Sequence, residues 1–441
     1  MNGAKRHYSA FDGWRGIAIL WIALGHIVNS YSWNLAGIKV FLFTLSTNFV
    51  FPLDVFFILS GFFITGSLLN TAGGLDVMGF LKKRALRILP LYYLLLIAII
   101  IIGNVVPPFR VEKTTTINIH VQWTVAGVEI PGKDYLLENG NGEKAILEIN
   151  GGSRYAFFYY GDRYSHKVGG PLGDFGIKDP LLTKGGRITL TKTMDLQASF
   201  LDKNPGESLL PYFTLMANVV PWEKQLRMYS HAWFVSVIVQ FYLFYALLFF
   251  VLRTFAPDEK KRKMVLAAVL ALLVALIAVT QDEPGPLRFS ILLGCLLKIL
   301  EPYYVAPKKP FWNLIIPAIL TVAGGAAVFL IISAQSTSIF LPGLAAAALL
   351  MGTSRLAAVS SAVLENSAIR WIGMYSYGIY LFHLAFILFF VKFKEYSHFG
   401  NLISIPIYLL LSVFIGAALE KLTNKAVSGL SALPKPGSIP A

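Results

Sequence analysis

The sequence predicts an all-α polytopic membrane protein of about ten transmembrane helices, interrupted by a small β-rich insert outside the cytoplasm. Three observations predict it. Hydrophobic residues make up 56% of the chain and charged residues 14%, with a mean hydropathy of +0.62, far from a soluble average. The apolar residues gather in runs of about twenty, the length that crosses a hydrocarbon core as helix. Most of the 38 lysines and arginines fall in short clusters between those runs. A net charge of +14 gathered on one basic face would suit nucleic acid; divided between apolar segments it is a topology signal, so no nucleic-acid partner is expected.

In order, the runs are Phe11 to Tyr31, Phe49 to Leu69, Ile88 to Val106, Ala232 to Leu252, Met264 to Val279, Leu287 to Leu300, Leu314 to Ile332, Ile339 to Gly352, Tyr375 to Val391 and Leu402 to Leu419. Hydrocarbon offers backbone groups no partners, so each run must be helical. The sixth and eighth are short, which fits a tilted or re-entrant course or bounds other than these. The first is too long and too interrupted by polar residues for a cleaved signal peptide, and no small-residue cleavage site follows it; it is read as retained. With the amino terminus in the cytoplasm, Lys5, Arg6, Lys82, Lys83, Arg84, Arg87, Arg253, Lys260, Lys261, Arg262, Lys263, Lys308, Lys309, Arg355 and Arg370 all fall on the cytoplasmic side, as the positive-inside rule requires. Lys392 and Lys394 oppose it. An even number of spans returns the carboxyl terminus to the cytoplasm, where residues 429–441, ending in LPKPGSIPA, read as a disordered tail.

The chain thus divides into three spans at 1–106, an insert at 107–209, the remaining spans at 210–428 and the tail. In the insert, KAILEI, YAFFYY and RITLTKT are separated by Gly, Asn and Asp and read as short strands with turns. Its His120 and His166 have no neighbour at metal-ligand spacing and read as loop histidines. The insert itself is read either as a lid or spacer or as a binder of the molecule the protein acts on. The single cysteine, Cys295, lies in an apolar run, so no intrachain disulfide forms and a buried thiol is expected. No metal site, solenoid repeat or phosphate-cradling glycine loop is visible. The glycines are spread through the spans, as close packing of membrane helices favours.

The first run, FDGWRGIAILWIALGHIV, carries Arg15 and His26. Eleven helical steps are almost three turns, so the two share a face and stand roughly 16 Å apart along the axis. A cation and an imidazole are costly in hydrocarbon and mark functional positions.

FDGWRGIAILWIALGHI resembles the opening of the membrane acyltransferase 3 family, whose first helix carries an arginine, ten residues and a histidine. LDVFFILSGFFIT is similar to the family's second helix. KKRALRILPLYY resembles the pair of arginines, two residues apart, at the cytoplasmic start of its third. IRWIGMYSYGIYLFHL is similar to a late helix with Ser-Tyr-Gly, Tyr-Leu and His. LPYFTLMANVVPW and AWFVSVIVQFYLFY resume the pattern after the insert. Where many members carry a glutamate two residues before Gln-Phe-Tyr, this chain has Ile238.

The resemblance implies transfer of an acyl group, usually acetyl, from cytoplasmic acyl-CoA to a hydroxyl of a carbohydrate or glycolipid acceptor at the outer face of a bacterial inner or plasma membrane. A sugar hydroxyl is a poor nucleophile, so a base must take its proton as it attacks the thioester. His26 is the candidate, as general base or transient acyl carrier. The first helix runs outward and the second inward, so Asp54 comes to a similar depth and either orients the imidazole or caps its own helix. Arg84 and Arg87, three apart on one face, either bind the phosphates of coenzyme A or only enforce topology. Arg15 either joins the donor site or pairs with Asp12. His383 is read both as a site residue and as a packing histidine. Ser60 and Gly61 read as packing residues, Trp233 and Tyr242 as core lining, and Trp222 as an interfacial anchor. The alternative reading is a non-enzymatic transporter or flippase of an acyl donor or lipid-linked glycan that uses the same charged stripe as a pathway; such proteins often show inverted repeats, and none is visible.

Overall fold

The computed structural model describes residues 8–30, 50–69, 77–106, 109–124, 136–138, 144–149, 186–198, 208–221, 225–226, 229–256, 258–280, 287–305, 310–334, 339–356, 360–397 and 401–431. Expectations for Lys5, Arg6, His166, Trp222, Lys308, Lys309, the YAFFYY stretch and the residues beyond Ser431 lie outside them. The apolar runs form helices α1 (Ser9–Ser30), α2 (Val50–Leu69), α3 (Val77–Val105), α4 (Ala232–Phe255), α5 (Glu259–Thr280), α6 (Phe289–Val305), α7 (Pro310–Ala334) and α8 (Leu341–Thr353). After them come α9 (Ser367–Met374), α10 (Ser376–Ser397) and α11 (Asn401–Ser431).

Among the described residues, 6 helical segments are long and apolar enough to cross a membrane, at 50–69, 77–105, 232–255, 259–280, 313–332 and 405–429. The chain is a multi-pass membrane protein on that ground. Burial orders them: 67% of the apolar window of α2 is covered by protein, against 17% for α5 and α7, so α2 is central and the other two face outward, where lipid accepts their apolar side chains.

Two helices depart furthest from the predicted spans. The third starts at Val77 rather than Ile88, so Lys82, Lys83, Arg84 and Arg87 stand in its early turns instead of in a loop. Leu, Ala, Lys and Arg are good helix formers, and long cationic stems reach water while the backbone stays helical. The last continues through Ser431 rather than ending at Leu419, because EKLTNKAVSGLS holds several helix formers beyond the apolar stretch. It also overruns position 429, where the tail was expected to begin.

Between α3 and α4, strands β1 (Phe109–Thr124), β2 (Leu136–Glu138), β3 (Lys144–Ile149) and β4 (Gly186–Ala198) pair in the order β2-β3-β1-β4. All pairings are antiparallel, with Ile119 opposite Ile149 and Thr114 opposite Thr193. His120 falls on β1 opposite Glu148 and Arg187.

The bundle core is rich in aromatic side chains, with Tyr92, Tyr212, Tyr229, Tyr245 and Phe241 all buried. Where α2 crosses α6, glycine is required: a Cβ on Gly61 would stand 2.1 Å from the Ile291 carbonyl oxygen, and one on Gly294 2.1 Å from that of Ile58. The backbones meet directly there, as small residues allow in membrane helices. Cys295 is buried at the same crossing, its thiol donating to the Gly61 carbonyl at 3.5 Å.

The segment that returns to the bundle after the insert is held by its own polar groups. Tyr92 Oη donates to the Tyr212 carbonyl at 2.9 Å, Tyr93 Oη to that of Phe213 at 2.8 Å, and Tyr229 Oη to that of Tyr92 at 2.7 Å. Gln240 and Asn218 exchange amide bonds at 2.8 and 3.2 Å, and Gln240 also donates to the Leu215 carbonyl at 2.8 Å. That last carbonyl belongs to a residue with φ 58, a conformation uncommon for a leucine and held here by these bonds. The network delivers the chain to His231, the residue at the N-terminal boundary of α4.

Candidate active site

One end of the site is an arginine cluster. On α1, Arg15 pairs with Asp12 at 3.5 Å and lies over the Phe63 ring of α2 at 4.8 Å. On α3, Arg84 lies over the rings of Phe80 and Tyr242 at 5.5 and 5.6 Å and donates to Ser67 Oγ at 3.4 Å. The charge of Arg15 is within electrostatic reach of Arg87 and Arg84. The structure therefore gathers all three arginines named from sequence, and it also forms the Arg15–Asp12 pair. Like charges gathered in low dielectric raise one another's energy, and an anion that accepts from several guanidinium groups relieves it.

Two further groups border this end that sequence reading missed. Glu420 of α11 is buried, accepts from the Gly378 backbone N–H at 2.8 Å and feels the charges of Arg87 and Arg15. On α6, Lys298 and Glu301 pair with each other; Tyr8 donates to Glu301 Oε1 at 2.5 Å, and Lys298 lies over the Phe62 ring at 4.8 Å. Glu420 sits in a polar stretch that the apolar pattern assigns to the end of the last span. Its signal in sequence was only an acid following GAAL on an otherwise apolar helix.

Deeper along α1 the structure assembles three histidines. The His26 and His383 rings have centroids 5.1 Å apart, and those of His231 and His383 5.4 Å apart. His26 is half-buried, while His231 and His383 are 4% and 0% exposed. Carbonyl bonds set two tautomers. His383 Nδ1 donates to the Tyr380 carbonyl at 2.6 Å and His231 Nε2 to the Leu381 carbonyl at 2.9 Å, so each neutral ring keeps a lone pair on its other nitrogen. Tyr380 Oη donates to the His231 carbonyl at 3.0 Å, and Tyr408 Oη to that of His383 at 2.9 Å. Sequence reading missed His231 altogether. It precedes the apolar run of α4, and nothing local distinguishes it from a loop histidine.

Of the other sequence candidates, Asp54 is buried on α2, a helix packed against α1. Tyr242 is buried on α4, as core lining requires. Trp233 lies beneath the guanidinium of Arg288 at 5.5 Å. Ile238 packs against the core, so no carboxylate stands at that position. Among the described residues, no group of three or more His, Cys, Asp or Glu side chains is arranged to hold a metal ion.

Helix α1 thus carries a cation cluster at one end and an imidazole cluster roughly 16 Å along its axis, and the rest of the bundle is built around both. This defines the class: a multi-pass membrane protein with an arginine-lined end and an imidazole-lined interior. Residues 8–421, nearly the whole chain, match the family described as an acyltransferase domain, and the chain belongs to this family, acyltransferase 3. It is a membrane acyltransferase, in agreement with the resemblance of its motifs. No curated protein and no solved structure matches it.

Proposed function

We propose that the protein moves an acyl group, usually acetyl, from cytoplasmic acyl-CoA to a hydroxyl of a cell-envelope or secreted carbohydrate or glycolipid. The observation that carries this reading is the placement of Arg15 and His26 on one face of α1, each inside a cluster completed by other helices. Coenzyme A is anionic at its phosphates and reactive at the far end of an extended arm. Arg84 and Arg87, with Arg15 beside them, hold the phosphates; the arm runs along α1 toward His26 and brings the thioester to the half-buried imidazole.

In this reading the acceptor oxygen attacks the thioester carbonyl while His26 takes the hydroxyl proton. The carbon–sulfur bond then breaks, and the departing thiolate takes the proton from His26, leaving an ester and a free thiol. The second imidazole nitrogen needs a group to hold the ring. Asp54, from sequence, and the neighbouring histidines, from structure, are the groups available.

In this topology about ten spans cross a bacterial inner or plasma membrane, with both termini cytoplasmic. The insert stands outside the cytoplasm, where it chooses or positions the acceptor. The test is mass spectrometry of cell-envelope glycans with and without the gene. The reading expects loss of one acyl group per modified sugar in the deletion strain; glycans identical in the two strains would contradict it.

A further inference from the structure

We propose that His383 is the positioning residue for His26, holding the imidazolium that forms when His26 takes the acceptor's proton. It takes the place a carboxylate occupies in other acyl-transfer sites. The inference rests on the acyl-transfer reading of His26 given above.

Three observations carry it. The first is distance: the His26 and His383 ring centroids are 5.1 Å apart and tilted by 46°, with no bond between them in the resting structure, so a turn of the His26 ring brings a nitrogen to the roughly 3 Å of an N–H···N bond. The second is the tautomer. A carbonyl oxygen only accepts, so the 2.6 Å bond from Nδ1 to the Tyr380 carbonyl leaves the lone pair of His383 on Nε2. That nitrogen is buried and has no hydrogen-bond partner among the described residues. A buried acceptor left unsatisfied is costly, and in a native structure it calls for an explanation. The third is exposure: His26 is half-buried and His383 fully buried, so substrate reaches the first ring while the second stands behind it.

Together these define a chain of roles. A protonated His26 donates from one nitrogen to His383 Nε2, and His383 Nδ1–H donates onward to the Tyr380 carbonyl. The cation is stabilised by two aligned dipoles without a second charge entering the site. His383 gains no proton in the step: the proton stays on His26 until the thiolate takes it. Around His383, Tyr380, His231 and Tyr408 fix the ring and its backbone, so its lone pair is preorganised rather than recruited.

The test uses the full-length protein in proteoliposomes, with acetyl-CoA as donor and an envelope-glycan fraction as acceptor, scored as thiol release. His383→Phe keeps a planar ring and removes the acceptor nitrogen; it should lower kcat on the order of 10²-fold with KM for acetyl-CoA unchanged. His383→Gln, whose amide oxygen can accept near the position of Nε2, should recover about tenfold of that loss. His383→Leu replaces the Phe variant if that protein does not fold. Equal kcat in the Phe, Gln and wild-type proteins would overturn the proposal, as would equal losses in both variants tracking a lowered melting temperature. A loss on Asp54→Asn with none on His383→Phe would move the role to the carboxylate. Failure of the underlying reading looks different: His26→Ala would then retain thiol release, or wild-type protein would show none.

Discussion

The imidazoles of His26 and His383 stand with ring centres 5.1 Å apart, although one lies on α1 and the other on α10. The contact joins the two ends of the chain at the point where α1 is half-buried. It is reinforced from a third helix, whose N-terminal boundary residue, His231, packs its ring on His383 at 5.4 Å. In the proposed reaction His26, half-buried beside two buried imidazoles, works with little bulk water, which strengthens its hydrogen bonds and limits wasteful hydrolysis.

Removing the charge of the proposed donor site should weaken donor binding selectively. Changing Arg84 and Arg87 together to Gln is expected to reduce acetyl-CoA affinity on the order of tenfold per lost contact. The gap from wild type should widen as salt is lowered and the native attraction is less screened. Calorimetry in detergent at two ionic strengths measures this. An affinity equal to wild type would return both arginines to a topological role.

The crossing of α2 and α6 leaves no room for a side chain at Gly61, where a Cβ would stand 2.1 Å from a backbone oxygen. Gly61→Val should therefore destabilise the protein by about 1–3 kcal/mol or more through forced separation of the helices. Thermal unfolding in detergent should show it as a lowered midpoint. A midpoint unchanged from wild type would mean the helices do not cross at that depth.

The segment leading to His231 depends on tyrosine hydroxyls. Tyr229→Phe removes the donor to the Tyr92 carbonyl, a bond of 2.7 Å between buried groups, and leaves that oxygen without its partner. A loss of about 1–3 kcal/mol is expected. Because the same segment sets His231, kcat should fall with it while donor KM holds. A variant as stable and as active as wild type would show that the segment is held by packing alone.

The site could be read from the sequence only in part, and the reason is range. Arg15 with His26, and Arg84 with Arg87, are visible because helical periodicity relates residues within one element. The LSGF glycine is visible for the same reason, as a small residue in an apolar helix. The meeting of His26, His231 and His383 depends on how three helices far apart in the chain pack. One of those histidines lies just outside an apolar run, where hydropathy carries no signal. Helix ends went astray where the apolar pattern stops but helix propensity does not, at Val77 and beyond Leu419.

The insert should be separable from the chemistry. Replacing Val111 to Asn204 with a short Gly/Ser linker is expected to leave donor binding intact while transfer to the native glycan falls. Isothermal titration with acetyl-CoA and glycan mass spectrometry read the two functions separately. Loss of both in a normally inserted variant would make the insert part of the catalytic fold, and full retention of transfer would make it dispensable.

The base at the centre of the mechanism has the most direct test. Purified His26→Ala protein, reconstituted beside wild type with isotope-labelled acetyl-CoA and an envelope-glycan fraction, should bind donor and unfold at an unchanged temperature. Label on the glycan should fall by 10²-fold or more, on the order expected for loss of a general base. Labelled glycan at the wild-type rate from the well-folded variant would contradict the account and remove His26 from the reaction.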